Sequence, residues 1–193
     1  MNEMLKSAGL IYMKVGLHAG EPIDEIIERK RREFDTAGSI FWGYGGSTCH
    51  PLTMVQPFAR DGAKSGRETL IIMEKMDSKH DAPPEVAKQY SDDGVNWQPI
   101  PTGIEVRGSR YAMVLDQLRV EEFNVDLREL QVSVGPSRGR AASNYLIGRA
   151  DKGCFIYVPH RDPLPPDAKT TKHIGLVAQL KAPYAVLVRN YGG

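Results

Sequence analysis

The sequence predicts an α+β fold, or a mixed α/β one, in which an N-terminal βαβα section is followed by a largely antiparallel sheet. Three observations support this prediction. An apolar run at residues 10–17 precedes a well-delimited helical pattern at 21–38. A second apolar run at 39–42 is followed by another helical pattern. From residue 110 onward the chain consists mainly of short strand-like runs without an internal repeat.

The first strand and helix have the clearest signals. Residues 10–17 (LIYMKVGL) are rich in β-branched and aromatic side chains, which is typical of a buried strand. In the helix that follows, Pro22 suits the first turn and Gly38 can end it. The helix has one apolar face, and its arginines are expected to face solvent. The apolar face comprises Ile23, Ile26, Ile27 and Phe34, and the arginines are Arg29, Arg31 and Arg32.

The next elements complete the N-terminal section. Residues 39–42 (SIFW) predict a short strand, so that strand, helix and strand fit a βαβ crossover. A second helix is expected to begin near His50 or Pro51. Pro57 should bend or end that helix, because proline lacks the amide proton that a helix interior requires. Residues 68–76 favour a strand over a helix.

Residues 77–105 differ from the rest of the chain. Four prolines interrupt a polar stretch with six acidic and two basic side chains, and Trp97 lies within it. The composition predicts a long surface excursion rather than a second domain, so one globular domain over residues 1–193 is expected.

The remaining segment is predicted as strands with one short helix and one hairpin turn. The helix is expected at 120–127 and the turn at 181–183. The strands are expected at 110–115, 130–134, 145–147, 154–158, 174–180 and 184–188.

Overall composition excludes several classes of protein. The chain has 193 residues, 41% of them hydrophobic, and 25 Lys+Arg against 24 Asp+Glu, which argues against disorder and against a general nucleic-acid coat. No apolar stretch approaches the roughly 18 residues of a membrane span, and the N-terminus lacks a secretory pattern. Two cysteines in so long a chain favour a reducing, cytoplasmic setting. No metal site is expected, because no His/Cys cluster has ligand spacing.

The sharpest local motif is the glycine-rich run at 43–50 (GYGGSTCH), between a strand and a helix. Glycines allow a ligand to approach main-chain amides closely, and a helix start offers unpaired N–H groups to a phosphate or carboxylate. Gly45, Gly46, Ser47 and Thr48 are therefore predicted ligand-binding residues. The run matches no nucleotide-binding fingerprint, and a tight turn capped by a hydroxyl is the alternative explanation.

A second glycine-rich loop, at 135–144, carries Arg138 and Arg140. Guanidinium groups grip phosphate or carboxylate in bidentate fashion, so both arginines are predicted to bind the ligand. A solvated basic loop is the alternative explanation.

Cys49 and His50 suggest a thiol nucleophile and a base. Adjacent residues rarely face one another, but a helix N-terminus lowers the pKa of a thiol, so Cys49 is a candidate nucleophile.

His18 closes the first strand and Tyr44 the second. The order strand–His–small–Gly, helix, strand–Gly–Tyr resembles that of ADP-ribosyltransferases over about a quarter of the chain. The resemblance implies NAD as cofactor, with His18 on the ribose, Tyr44 stacked on nicotinamide, and a later acid, for which Glu129 is the candidate. Ala19 stands where that family usually has glycine.

Three functions follow from these motifs. The first is a small intracellular protein that binds a phosphate-bearing ligand, either a nucleotide or a nucleic-acid strand, through the two glycine-rich loops. The second is an enzyme, either an NAD-using transferase or a thiol enzyme. The third is a non-catalytic interaction or inhibitor protein of a phage or mobile element, which contacts its partner through 77–105. The opposite local charges of 77–105 and 136–152 also permit self-association.

Overall fold

A computed structural model describes residues 3–44, 51–80, 82–146 and 152–190, with backbone only at 78–80. Within these residues the chain forms four α-helices, a 3₁₀ turn and nine strands. The helices are α1 (Glu3–Ser7), α2 (Ile23–Ala37), α3 (Leu52–Lys64) and α4 (Ala142–Tyr145), and the 3₁₀ turn is Leu127–Glu129. The strands are β1 (Gly9–His18), β2 (Ile40–Tyr44), β3 (Thr69–His80), β4 (Gln89–Ser91), β5 (Gln98–Pro99), β6 (Tyr111–Asp126), β7 (Leu130–Val132), β8 (Lys152–Tyr157) and β9 (Thr171–Arg189).

The predicted α+β class is confirmed, with strand the dominant structure. The strands are hydrogen-bonded in the order β2-β6-β9-β3-β1-β8-β7, and β4 pairs with both β5 and β9. Antiparallel registers join β1 to β8, β7 to β8, β2 to β6, and β4 to β5 and β9. The described chain begins with α1, β1, α2, β2 and α3 in that order, and the βαβα section stays a prediction. In this part of the chain β2 pairs with β6.

The chain divides into two compact units, and the four long strands β1, β3, β6 and β9 contribute residues to both. Unit 1 contains 1–14, 48–75 and 119–177. Its core is a cluster of buried apolar side chains centred on Leu10, Tyr12 and Phe155, none of which is accessible to solvent. Residues from α1, α4 and the 3₁₀ turn complete that cluster.

Unit 2 contains 15–47, 76–118 and 178–193. Phe41 of β2, Val114 of β6 and Val186 of β9 are buried in its core. The segment predicted as a surface excursion also contributes to this core, through buried Ala87 and Ile104. Part of that segment pairs as β4 and β5, and β4 also pairs with β9.

Helix α2 ends as the sequence predicts. Gly38 has a left-handed φ of 66°, and its amide donates to the carbonyl of Phe34. Only glycine adopts this conformation without steric cost, so it ends the helix efficiently. The buried face differs from the prediction, however, since it includes Lys30 and Glu33 as well as Ile26 and Ile27.

Helix α3 continues through Pro57 to Lys64, so this proline does not end the helix. Proline removes the hydrogen bond to the carbonyl four residues earlier, which belongs to Thr53. Thr53 is exposed, so water can solvate that carbonyl in place of the missing donor.

Two of the predicted elements in the second half are wrong. Residues 120–126 belong to strand β6 rather than to a helix. Val125 is buried and Phe123 is partly buried, and their spacing of two residues places them on one face of the strand. Residues 171–189 form the single strand β9, so the turn predicted at 181–183 lies inside a continuous strand.

A third predicted element, the strand at 145–147, is also wrong where it is described. Residues 142–145, part of which was predicted as a strand, form the short helix α4, with Ala142 buried in the unit 1 core. Leu146 is the C-cap of α4, and Ile147, the last residue of that predicted strand, lies outside the described residues.

Asp93 rigidifies the turn between β4 and β5. Its carboxylate accepts hydrogen bonds from the Asn96 and Val95 amides at 2.8 and 2.7 Å, and from the Ser91 hydroxyl at 2.8 Å. These donors hold the pKa of Asp93 well below its usual range.

Asp93 should therefore remain ionised at about pH 3, below the ordinary pKa of aspartate. A group with a depressed pKa stabilises the fold above its unfolded pKa, and this contribution is lost as the pH falls through its folded pKa. Carboxyl carbon shifts measured by NMR across an acid titration test this expectation. An Asp93 midpoint at the ordinary value would contradict it.

In the described part of the chain, no helix combines the length and apolar character needed to cross a membrane.

Candidate functional site

A surface cleft in unit 1 lies between helix α3 and the loop that follows β7. Its volume is about 630 Å³, which lies within the range of small-molecule sites. Apolar side chains and polar ones share the lining. The apolar residues are Met54, Pro57, Phe58, Val132, Val134 and Ile156; the polar ones are Asp61, Arg67, Gln131, Ser133 and Arg138; Gly135 and Gly139 complete the lining.

One side of the cleft depends on the packing of Arg67 beside helix α3. The guanidinium of Arg67 lies 5.4 Å from the centre of the Phe58 ring, a cation–π distance. A Cβ on Gly62 would come within 3.1 Å of the Arg67 carbonyl oxygen and 3.4 Å of its Nε, so glycine leaves room for this side chain. The Arg67 amide donates to the Gly62 carbonyl at 2.9 Å.

The opposite side is the loop at 133–139, which doubles back on β7. The Gly139 amide donates to the Val132 carbonyl at 2.9 Å, and Gln131 Nε2 donates to the Gly139 carbonyl at 3.0 Å. Gly135 and Gly139 both have left-handed φ values, 70° and 90°. These φ values let the chain reverse its direction, and residues other than glycine rarely adopt them.

The two sides approach each other at Met54 in the first turns of α3. A Cβ added to Gly135 would lie 3.2 Å from the Met54 sulfur, so the loop and the helix are already close there. Residues 45–50 directly precede the segment that begins α3. Those six residues, including predicted Gly45, Gly46, Ser47, Thr48, Cys49 and His50, lie outside the described residues.

Two buried polar atoms at this cleft lack a hydrogen-bond partner within the described ranges. They are Nε of Arg67 and Oγ of Ser133. An unsatisfied buried polar group costs roughly 1–3 kcal/mol, so such groups are uncommon and call for an explanation. A bound ligand toward which both side chains turn on binding would supply one.

The charges at the cleft are unequal. Arg67 and Arg138 contribute two positive charges, and Asp61 contributes one negative charge. Asp61 is 3.8 Å from the Lys64 ammonium, and both side chains are more than 70% exposed, so this pair is weak. The carboxylate of Asp61 therefore remains available to a ligand.

The two arginines of the predicted loop do not share this environment. Arg138 lines the cleft, whereas Arg140 is exposed on the same loop and is not part of the lining. The Arg140 carbonyl accepts from the Val132 amide at 2.9 Å, which makes its main chain part of the loop closure.

None of the residues carried by the ADP-ribosyltransferase resemblance is part of the lining of this cleft. His18 and Tyr44 belong to unit 2 and Glu129 to unit 1. Tyr44 is only 1% exposed and packs against Tyr111 with ring centres 5.2 Å apart, so its ring faces protein rather than solvent. His18 Nε2 lies 2.9 Å from the Arg107 carbonyl, and a carbonyl only accepts, so Nε2 carries the proton.

A buried network of charges connects α2 with the segment at 104–107 in unit 2. The ammonium of Lys30 donates to Glu33 at 2.8 Å and to the carbonyls of Phe41 and Glu105 at 2.6 and 2.7 Å. Arg29 donates to Glu21 at 2.9 Å, although the sequence predicts it in solvent. Burial lowers the pKa of Lys30 to about 8, and Glu33 opposes the shift.

The hydrogen-bonding groups of this network are paired with one another, which is not typical of a ligand-binding site. The three donors of the Lys30 ammonium have three protein acceptors, and Glu33 accepts from Lys30, Arg29 and the Glu105 amide. A network satisfied from within the protein stabilises the fold.

A smaller cleft of about 320 Å³ lies in unit 2. Phe41 and Tyr90 line it as an edge-to-face pair, and Lys181 at its border donates to the Gly38 carbonyl at 2.8 Å. It has one lysine and one aspartate in its lining and lacks the arginines of the larger cleft.

Sequence reasoning identified Arg138 but missed the other polar groups of the larger cleft. Arg67 follows a helix end and has no motif around it, and Ser133 sits just after a strand. Both become notable only because the fold brings them to the cleft that Arg138 lines and buries Arg67 Nε and Ser133 Oγ, and no local pattern predicts that.

Within the described ranges, no three His, Cys, Asp or Glu side chains are grouped so that they could hold a metal ion. We find no protein-family model, curated protein or solved structure that matches this chain.

Proposed function

We propose that this protein binds a phosphate-bearing ligand, either a nucleotide or a nucleic-acid strand, in the cleft between α3 and the loop at 133–139. The observation that supports this most strongly is the grouping of three donors at one cleft. Arg138 is exposed there, and Arg67 Nε and Ser133 Oγ are buried without partners among the described residues. Phosphate oxygens accept several hydrogen bonds at once and prefer guanidinium donors.

The loop at 133–139 supports the same proposal, because its hydrogen bonds hold the main chain beside Arg138 in place. The Arg138 amide donates to the Gly135 carbonyl at 3.1 Å. A donor on an ordered loop loses less conformational entropy when it binds than one on a flexible loop. From the sequence alone, we also propose that Gly45, Gly46, Ser47 and Thr48 of the glycine-rich run at 43–50 bind a phosphate-bearing ligand. The two-cysteine composition suggests a reducing, cytoplasmic setting for this binding.

Replacing Arg138 with alanine should weaken the binding of inorganic pyrophosphate about tenfold, which corresponds to the loss of one charge-assisted hydrogen bond. Isothermal titration calorimetry on the full chain measures this change. Arg138 is exposed, so the variant should keep its fold.

Arg140→Ala is the matched control, since it removes the same charge from the same loop outside the cleft. It should change pyrophosphate affinity by less than about threefold in physiological salt, because an exposed charge at a distance is screened. Equal losses in the two variants, or no loss in Arg138→Ala, would contradict the proposed site.

A further inference from the structure

Asp61 constrains what the ligand of this cleft can be. Its carboxylate lines the same cleft as Arg67 and Arg138, so the cleft is not uniformly positive. A ligand composed only of phosphate would be repelled by Asp61. A ligand with a phosphate at one end and hydrogen-bond donors at the other would satisfy both kinds of side chain.

The apolar part of the lining indicates a ring system in the ligand. Met54, Pro57, Val134 and Ile156 are exposed or partly exposed and give the cleft hydrophobic contact area beside its polar groups. This combination of an apolar wall with a few convergent polar groups is typical of sites for small organic molecules.

The same lining disfavours a nucleic-acid strand. A single strand is usually held by several cations along its backbone and by exposed aromatic rings on which successive bases stack. Among the described residues that line this cleft there are two arginines and one aromatic residue, Phe58, which is 7% exposed and lies under the Arg67 guanidinium.

We infer that the ligand is a single nucleoside phosphate, with its phosphates on Arg67, Ser133 and Arg138 and with hydroxyl or amino groups donating to Asp61. The inference rests on the proposed function and narrows its ligand class from phosphate-bearing molecules in general to mononucleotides.

The test compares the nucleoside diphosphates ADP, GDP, CDP and UDP with inorganic pyrophosphate, which reproduces their phosphate part. At least one diphosphate should bind wild-type protein about tenfold more tightly than pyrophosphate, and a 12-nucleotide single strand should bind more weakly than that diphosphate. Asp61→Ala should act in opposite directions on the two probes. It should weaken the diphosphate about tenfold by removing an acceptor and strengthen pyrophosphate about twofold by removing repulsion.

Glu68→Ala is the control, because it removes an exposed acid near Asp61 in sequence that does not line the cleft. If Asp61→Ala strengthens both probes, or if no diphosphate exceeds pyrophosphate, the nucleoside part of the inference is wrong. The proposed function then stands as long as Arg138→Ala still weakens pyrophosphate. If the oligonucleotide binds more tightly than every diphosphate, the ligand is a nucleic-acid strand and the inference of a mononucleotide is wrong. If no probe binds, both proposals are wrong.

Discussion

Glu33→Ala should lower the free energy of unfolding by about 3–5 kcal/mol, because it leaves the Lys30 ammonium buried without its counter-ion. Lys30 is 3% exposed and Glu33 is 1% exposed, so water does not reach this pair. The variant also removes the acceptor for the Arg29 guanidinium and the Glu105 amide, at 3.1 and 3.0 Å.

Urea unfolding of the purified chain measures this loss. Glu28→Ala is the matched control on the same helix, since Glu28 is exposed, and it should change stability by less than about 0.5 kcal/mol.

The double variant Lys30→Met/Glu33→Leu distinguishes loss of the whole ion pair from loss of one partner. Replacing both charges with apolar groups removes the unpaired charge, so the double variant should be more stable than Glu33→Ala. If Glu33→Ala is as stable as Glu28→Ala, the ion pair does not stabilise the fold as described.

Gly108→Ala should destabilise the protein by about 2–5 kcal/mol for two reasons. Gly108 has a left-handed φ of 55°, which costs other residues roughly 1–2 kcal/mol. The added Cβ would also lie 2.6 Å from the Ala82 Cβ and 2.8 Å from the Pro83 carbonyl oxygen. The Pro83 carbonyl belongs to the main chain and cannot easily move away from the added Cβ. Overpacking of this kind costs about 1–3 kcal/mol.

Gly38→Ala isolates the conformational part of that cost. Gly38 has a similar φ of 66°, but an added Cβ would meet nothing within 4 Å. Thermal or urea unfolding should therefore show the smaller loss, about 1–2 kcal/mol, for Gly38→Ala. At Gly108, by contrast, the added methyl group would also lie 3.3 Å from His18 Nε2. Equal losses at the two positions would refute the steric explanation.

Helix α2 shows both how far its sequence predicts its structure and where the prediction stops. Its ends follow from Pro22 and Gly38, which act through neighbouring residues in the chain. The burial of Lys30 and Glu33 was missed, although they continue the face of Ile26 at spacings of four and seven residues. The positions indicated burial, but the charges suggested solvent, and only partners distant in sequence, such as the Glu105 carbonyl, make that burial favourable.

The second half of the chain was predicted less well for a related reason. Strand β6 runs over 16 residues and β9 over 19, whereas the sequence predicts shorter elements with a helix and a turn. Strands are stabilised by pairing with distant segments, so local turn signals can be overridden by neighbours in a sheet.

At the candidate site, the sequence by itself determined the glycine-rich loop and its Arg138, because glycines at left-handed positions and a cationic side chain are properties of a short segment. Only the tertiary structure decided that Arg67, Ser133 and Asp61 border the same cleft as Arg138 and that Arg140 lies outside its lining. Burial and hydrogen-bond satisfaction depend on which distant segments pack together. The same physical reason places Tyr44 against Tyr111 and leaves Arg67 Nε without a partner in the described chain.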